Sequence, residues 1–172
     1  MIQIQIKTIG LWQRELRKMR YLPRDIKVSS NWGQQKAAQK LVGIVKGHLE
    51  KQDLPWAPLA ESTKRTKYDW RTLIESETYI NNIKAFRKGG VYYAGVKRGV
   101  TEPNGIETSV VAAMHEFGSG GSGIGLPARP LWAPSLKEMG GTRGIRKIVM
   151  QAIARKLRLR GWSLDMFSQA QL

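Results

Sequence analysis

Cysteine is absent from this 172-residue chain. Disulfide scaffolds, cysteine-bearing zinc sites, iron–sulfur clusters and thiol catalysis are therefore excluded. Histidine is nearly absent, with only His48 and His115. The metalloprotease motif H-E-x-x-H cannot form, because His115-Glu116 has no second histidine four residues on. Long apolar runs are missing too. The longest purely apolar run is Val110 to Met114, far short of the roughly 20 residues a membrane-spanning helix needs. No membrane partner is expected. The N-terminus lacks the continuous apolar stretch of a signal peptide, so the protein is expected to be made and kept in the cytoplasm.

Acids are the last scarcity. Thirteen Asp and Glu face 29 Lys and Arg, which leaves a formal charge of +16. A charge of that size repels itself, and it is best tolerated beside a polyanion or an acidic protein. What is present is enough apolar material for a core, 41% of residues. The length fits one domain with arms.

Met1 to Thr8 alternates Ile2, Ile4 and Ile6 with polar residues, a strand signal. Gly10 to Met19 reads as a helix that Pro23 ends. Ser30 or Asn31 caps the next helix, which runs to about Lys51. There Ala38, Leu41, Val42, Val45 and Leu49 share one face of a 3.6-residue period. Asp53 to Lys67 reads as a loop with a short helical turn, since Pro55 and Pro58 bracket Trp56. Tyr79-Ile80-Asn81-Asn82-Ile83 fits strand or helix. Lys88-Gly89-Gly90 is a turn before the β-rich Val91 to Val96, so a hairpin is expected from about Tyr79 to Val96.

Gly99 to Ser109 is a polar loop. Val110 to Phe117 makes two helical turns that Gly118 stops. Ser119 to Gly125 is a Gly/Ser loop. Pro134 sits in the first turn of a short helix to about Glu138. After Gly140-Gly141 the last long helix runs from about Thr142 to Arg160. Ile145, Ile148, Val149, Ala152, Ile153 and Leu157 form its apolar stripe. Its charges are Arg143, Arg146, Lys147, Arg155, Lys156, Arg158 and Arg160, with no acid among them. The tail keeps Trp162, Leu164, Met166 and Phe167, which need a covering partner. The expected division is an N-terminal arm over 1–30, an α+β core over 31–139, and a basic C-terminal helix and tail over 140–172.

Three constellations bear on chemistry. Gly118-Ser119-Gly120-Gly121-Ser122-Gly123 matches G-x-G-x-x-G in form. However, Pro127 falls where the following helix should run, so a loop is the better reading. His115 and Glu116 are adjacent acid/base groups that point about 100° apart on a helix, which favours a cap or interface role over catalysis. The basic faces of 10–20 and 142–160 suit phosphates or acidic proteins. Trp12, Tyr21 and Trp162 interleave with those bases without forming RNA-stacking strands.

A more specific pattern runs through the middle of the chain. Trp56-Ala57-Pro58-Leu59, Thr63-Lys64, Lys67, Leu73-Ile74, the Val91–Val96 run, His115-Glu116-Phe117-Gly118 and Pro127-Ala128-Arg129-Pro130-Leu131 occur in that order. The segment from Trp56 to about Leu136 resembles the tail-completion, or neck, proteins of tailed bacteriophages, the virion morphogenesis family. It departs from that pattern at Ser76-Glu77-Thr78, where the family often has a glycine, and at Val111-Ala112, where it often has Tyr-Ala. The resemblance implies a structural virion protein and no enzyme. It implies a small α+β fold, with helices on an antiparallel sheet, that forms a ring at the head–tail junction or the end of the tail tube and uses no cofactor.

The implied partners are copies of the chain and neighbouring neck, head–tail connector and tail-tube proteins, with packaged double-stranded DNA as a further candidate. The implied location is the virion, after assembly in the host cytoplasm. Glu116, Phe117, Gly118, Gly120, Gly123, Pro127, Arg129 and Pro130 are the expected interface. The seven bases of the last helix are the expected partner or DNA face, with a lean towards acidic protein. A tail terminator ring protein, or a basic nucleic-acid-binding protein acting as monomer or dimer, is the alternative. A phage hydrolase would rest on His115-Glu116 alone.

Overall fold

The computed structural model describes residues 10–67, 71–73, 77–119 and 125–161. The expected strand at Met1 to Thr8 and the apolar tail after Gly161 lie outside them. Among the described residues the order is α1 (Gly10–Lys51), α2 (Glu61–Thr66), α3 (Thr78–Asn82), β1 (Ile83–Lys88), β2 (Val91–Val96), α4 (Thr108–Phe117), α5 (Trp132–Glu138) and α6 (Gly141–Leu159). The fold is α+β: helices around a two-stranded antiparallel sheet.

The largest correction concerns α1. Pro23 lies inside one helix of 42 residues and does not end it. A proline inside a helix removes one backbone bond and costs about 3 kcal/mol. Here Pro23 is exposed, and the next turn is held from outside. Buried Asp25 pairs with Arg160, Nε to Oδ2 at 3.0 Å. Within the helix the Ser29 hydroxyl also donates to the Asp25 carbonyl at 2.5 Å. Tertiary packing therefore outweighs the local break. Ser30 is accordingly no cap; it is a mid-helix residue that accepts a bond from Gln34 at 3.5 Å. A boundary at residue 30 falls in mid-helix, so the N-terminal arm and the core share α1.

Two halves of α1 do different work. The C-terminal half supplies Leu41, Val42, Val45 and Leu49 to a core with Leu73, Tyr79, Ile83, Ala112 and Leu131. Val45 and Leu49 are fully buried, as the apolar stripe predicts, and so is Ile83. The N-terminal half pairs with α6, running antiparallel to it. Lys18 Nζ reaches the Gly161 carbonyl at 3.4 Å. Gly33 lies opposite Val149 and Ala152, so close that a Cβ on it would sit 2.7 Å from the Val149 Cα. The α6 stripe faces this seam, with Ala152 and Leu157 buried and Ile145, Ile148, Val149 and Ile153 half-buried.

The hairpin begins at Ile83, later than expected, because Tyr79 to Asn82 is helical. Its register pairs Ile83 with Val96 and Phe86 with Tyr93, whose rings stack at 5.7 Å. Gly89 and Gly90 both take positive φ in the turn, a conformation that favours glycine. As the sequence suggests, α4 stops at Gly118, whose φ is +78°.

Candidate functional site

The motif pieces that lie far apart in sequence meet in one joint between α4, α5 and the Trp56 loop. Trp56 donates its indole N–H to the Pro130 carbonyl at 2.9 Å. Arg129 lies between them, only 5% exposed. Its Nε donates to the Ala57 carbonyl at 3.2 Å and its Nη2 to the Pro58 carbonyl at 3.4 Å. Its backbone N–H donates to the His115 carbonyl at 2.6 Å. One arginine thus fastens W-A-P-L to P-A-R-P and to the end of α4. Burial lowers the guanidinium pKa from its ordinary value.

Glu116 completes the joint. Its carboxylate accepts the N–H groups of Leu131 at 2.7 Å, Trp132 at 3.1 Å and Ala133 at 3.3 Å. These are among the N-terminal amides that α5 leaves without helical partners. Leu131, the residue at the N-cap of α5, makes no capping bond of its own side chain. A glutamate from another helix does that work, and its negative charge suits a helix N-terminus. Tyr79 packs beneath. Burial, reinforced by the Glu116 charge, raises its phenol pKa above the ordinary value.

His115 lies near the charges of Arg129 and Lys67. Its Nδ1 is buried with no hydrogen-bond partner among the described residues. Burial, then the charges of Arg129 and Lys67, lower its pKa to about 4. His115 is therefore neutral at pH 7. As an acid/base pair His115 and Glu116 are poorly placed, because Glu116 is spent on three backbone amides. A shallow open cleft of about 220 Å³ lies elsewhere, lined by Lys46, Glu50, Arg71, Glu77, Ile80 and Asn81.

The expected interface residues separate into four kinds. Arg129 and Glu116 both bond within the chain, to carbonyls and amides of other segments. Local pattern does not reveal this tertiary meeting of loops. Phe117 is 82% exposed, and Pro127 and Pro130 are exposed beside it. Gly118 is half-buried; a Cβ there would lie 3.1 Å from the Leu126 carbonyl oxygen. Gly120 and Gly123 lie outside the described residues. Among the described residues on either side of them, the Ser119 N–H donates to the Leu126 carbonyl at 3.2 Å.

On α6, Arg143, Arg146, Lys147, Arg155 and Arg158 are exposed, and Lys156 is half-buried. Arg160 departs from the expectation of an unpaired face, since it pairs with Asp25 of α1. On the N-terminal half of α1, Arg17, Arg20, Arg24 and Lys27 are exposed as well.

A second polar cluster went unread in the sequence. Buried His48 lies between two carboxylates, with Nδ1 2.6 Å from Asp53 Oδ1 and Nε2 3.0 Å from Glu138 Oε2. The second approach is off the line of a proper hydrogen bond. The His48 bond lowers the Asp53 pKa. This bracket joins the end of α1 to the end of α5. Asp53, five residues after His48, was the only local hint. No group of residues suited to a metal ion occurs among the described residues.

No protein-family model matches this chain, and no curated protein or solved structure matches it.

Proposed function

We propose that this chain is a structural subunit of a tailed-bacteriophage virion that forms a ring at the neck or the tail end and joins head to tail. The observation that carries the reading is the joint. Three of the sequence pieces that carry the family resemblance meet there: P-A-R-P-L is bonded to W-A-P-L across 71 to 74 residues of chain and to H-E-F-G through Arg129 N–H to the His115 carbonyl and Leu131 N–H to Glu116. The side-chain polar groups of Trp56, Arg129 and Glu116 all hold backbone, as a rigid scaffold requires.

Beside the joint stands Phe117, a large apolar side chain almost fully in water. Such a residue at a rigid corner is a natural anchor for a neighbouring subunit. A cyclic ring uses heterologous contacts, so Phe117 of one copy meets a different patch on the next. Exposed Phe86, Val91 and Tyr93 on the hairpin supply an apolar patch of the right kind. The chain acts without catalysis or cofactor in this reading.

The test is electron microscopy of the purified chain beside its Phe117→Asp variant. Closed rings of the parent chain, lost in a variant with an unchanged circular-dichroism spectrum, support the reading. Rings that persist in the variant remove Phe117 from the interface. Peptidoglycan or nucleic-acid hydrolysis that His115→Ala abolishes would overturn the structural role itself.

A further inference from the structure

We propose that the free end of the α1/α6 arm is a binding surface for the phosphate backbone of duplex nucleic acid. Residues 16–29 and 154–161 carry nine Lys and Arg against one acid, Asp25. That acid is buried and spent on Arg160. Half of the net charge of the whole chain therefore gathers at the end of the arm farthest from the hairpin.

Six of these bases, Arg17, Arg20, Arg24, Lys27, Arg155 and Arg158, are exposed. On α1 they recur at intervals of three, four and three residues, which places them in one row along the outer face. Arg155 and Arg158 lie on the neighbouring helix, beside the same stretch of α1. Packed helices stand about 8–10 Å apart, so two cationic rows are offered side by side. Five of the six are arginines, which grip phosphate oxygens bidentately.

An acidic protein is the competing partner. It would have to match these rows with carboxylates at fixed positions. A duplex backbone presents phosphates along its whole length and needs no register. Tyr21 and Trp32, 45% and 43% exposed, flank the α1 row and offer rings to sugars and groove edges. No base-reading element accompanies the surface, so binding is independent of sequence. The surface works in a monomer and in a ring alike, and it does not depend on the neck reading.

The experiment measures fluorescence anisotropy of a short labelled DNA duplex with the full chain as the salt is raised. About six phosphate contacts give a log–log slope near −5, and affinity falls about 10³-fold between roughly 50 and 200 mM salt. The triple charge reversal Arg20→Glu, Arg24→Glu, Lys27→Glu should flatten the slope by about 3 and weaken low-salt binding more than tenfold. An equal reversal on the hairpin, Lys84→Glu, Lys88→Glu, Lys97→Glu, lies roughly 30 Å away along α1 and should change affinity less than threefold. Equal losses in the two triples would reduce the effect to net charge and overturn the proposal. So would an absence of binding at low salt, or poly-glutamate displacing the duplex at equal charge concentration. None of these outcomes bears on ring formation, which is read from particle shape.

Discussion

Arg129 in the joint and Arg24 in the arm are the same side chain in opposite surroundings. Arg129 is buried, and its guanidinium donates to two carbonyls of a loop 71 and 72 residues away. Arg24 stands in water on a helix whose one nearby acid is already taken by Arg160. The first arrangement fixes shape: a buried donor that loses its acceptors, or carbonyls that lose their donor, cost 1–3 kcal/mol each. The second arrangement fixes nothing within the chain and leaves the charge for a partner. Basic residues in this protein thus serve two ends, and burial, not residue type, separates them.

The comparison can be broken at either end. The largest expected effect is at Gly144, where a Cβ would come 1.9 Å from the Met139 carbonyl oxygen. Gly144→Ala must move backbone at the start of α6 and should lose about 3 kcal/mol or more in urea unfolding. Arg129→Ala should follow, at about 2–4 kcal/mol, because it strands two carbonyls and opens a void. If Arg129→Ala unfolds like the parent, the joint is no scaffold. Glu116→Ala removes an acceptor for three amides and should lose about 1–2 kcal/mol, with Glu116→Gln between it and the parent.

A smaller effect concerns acidity. His115 is held neutral in the folded chain, with a pKa of about 4 against 6.5 ordinarily. Between those values the unfolded chain binds the extra proton and the folded chain does not. Stability should therefore fall as pH drops from about 6.5 towards 4. His115→Gln should flatten that part of the stability–pH curve. Asp53 acts lower on the scale. Its pKa is depressed from 3.8 by His48, so its contribution is present above that value and fades beneath it. The smallest effect on folding is in the arm: Arg20→Gln with Arg24→Gln should shift stability by less than about 0.5 kcal/mol while lowering duplex affinity.

The helical seams were legible in the sequence because an apolar stripe at 3.6-residue spacing has one stable use. Val45 and Leu49 in α1, and Ala152 and Leu157 in α6, are buried where the period puts them. The Gly89-Gly90 turn was legible because its positive φ needs such residues. Pro23 misled, since local chemistry says break and the packing of α6 along α1 says continue. Glu116 and Arg129 could be singled out by motif but not assigned, because their partners lie 15 to 72 residues away and periodicity carries no information at that range. The His48 bracket had no sequence signal beyond proximity to Asp53.

The proposal of a ring at the neck or tail end is tested most directly by cryo-electron microscopy of tailed virions from the source that encodes this chain. The expected result is a closed ring of the chain at the head–tail junction or the tail end, with Phe117 buried at a subunit boundary and Arg129 inside each subunit as described. Particles that contain no copy of the chain, or copies that stand singly with Phe117 in solvent, would contradict it.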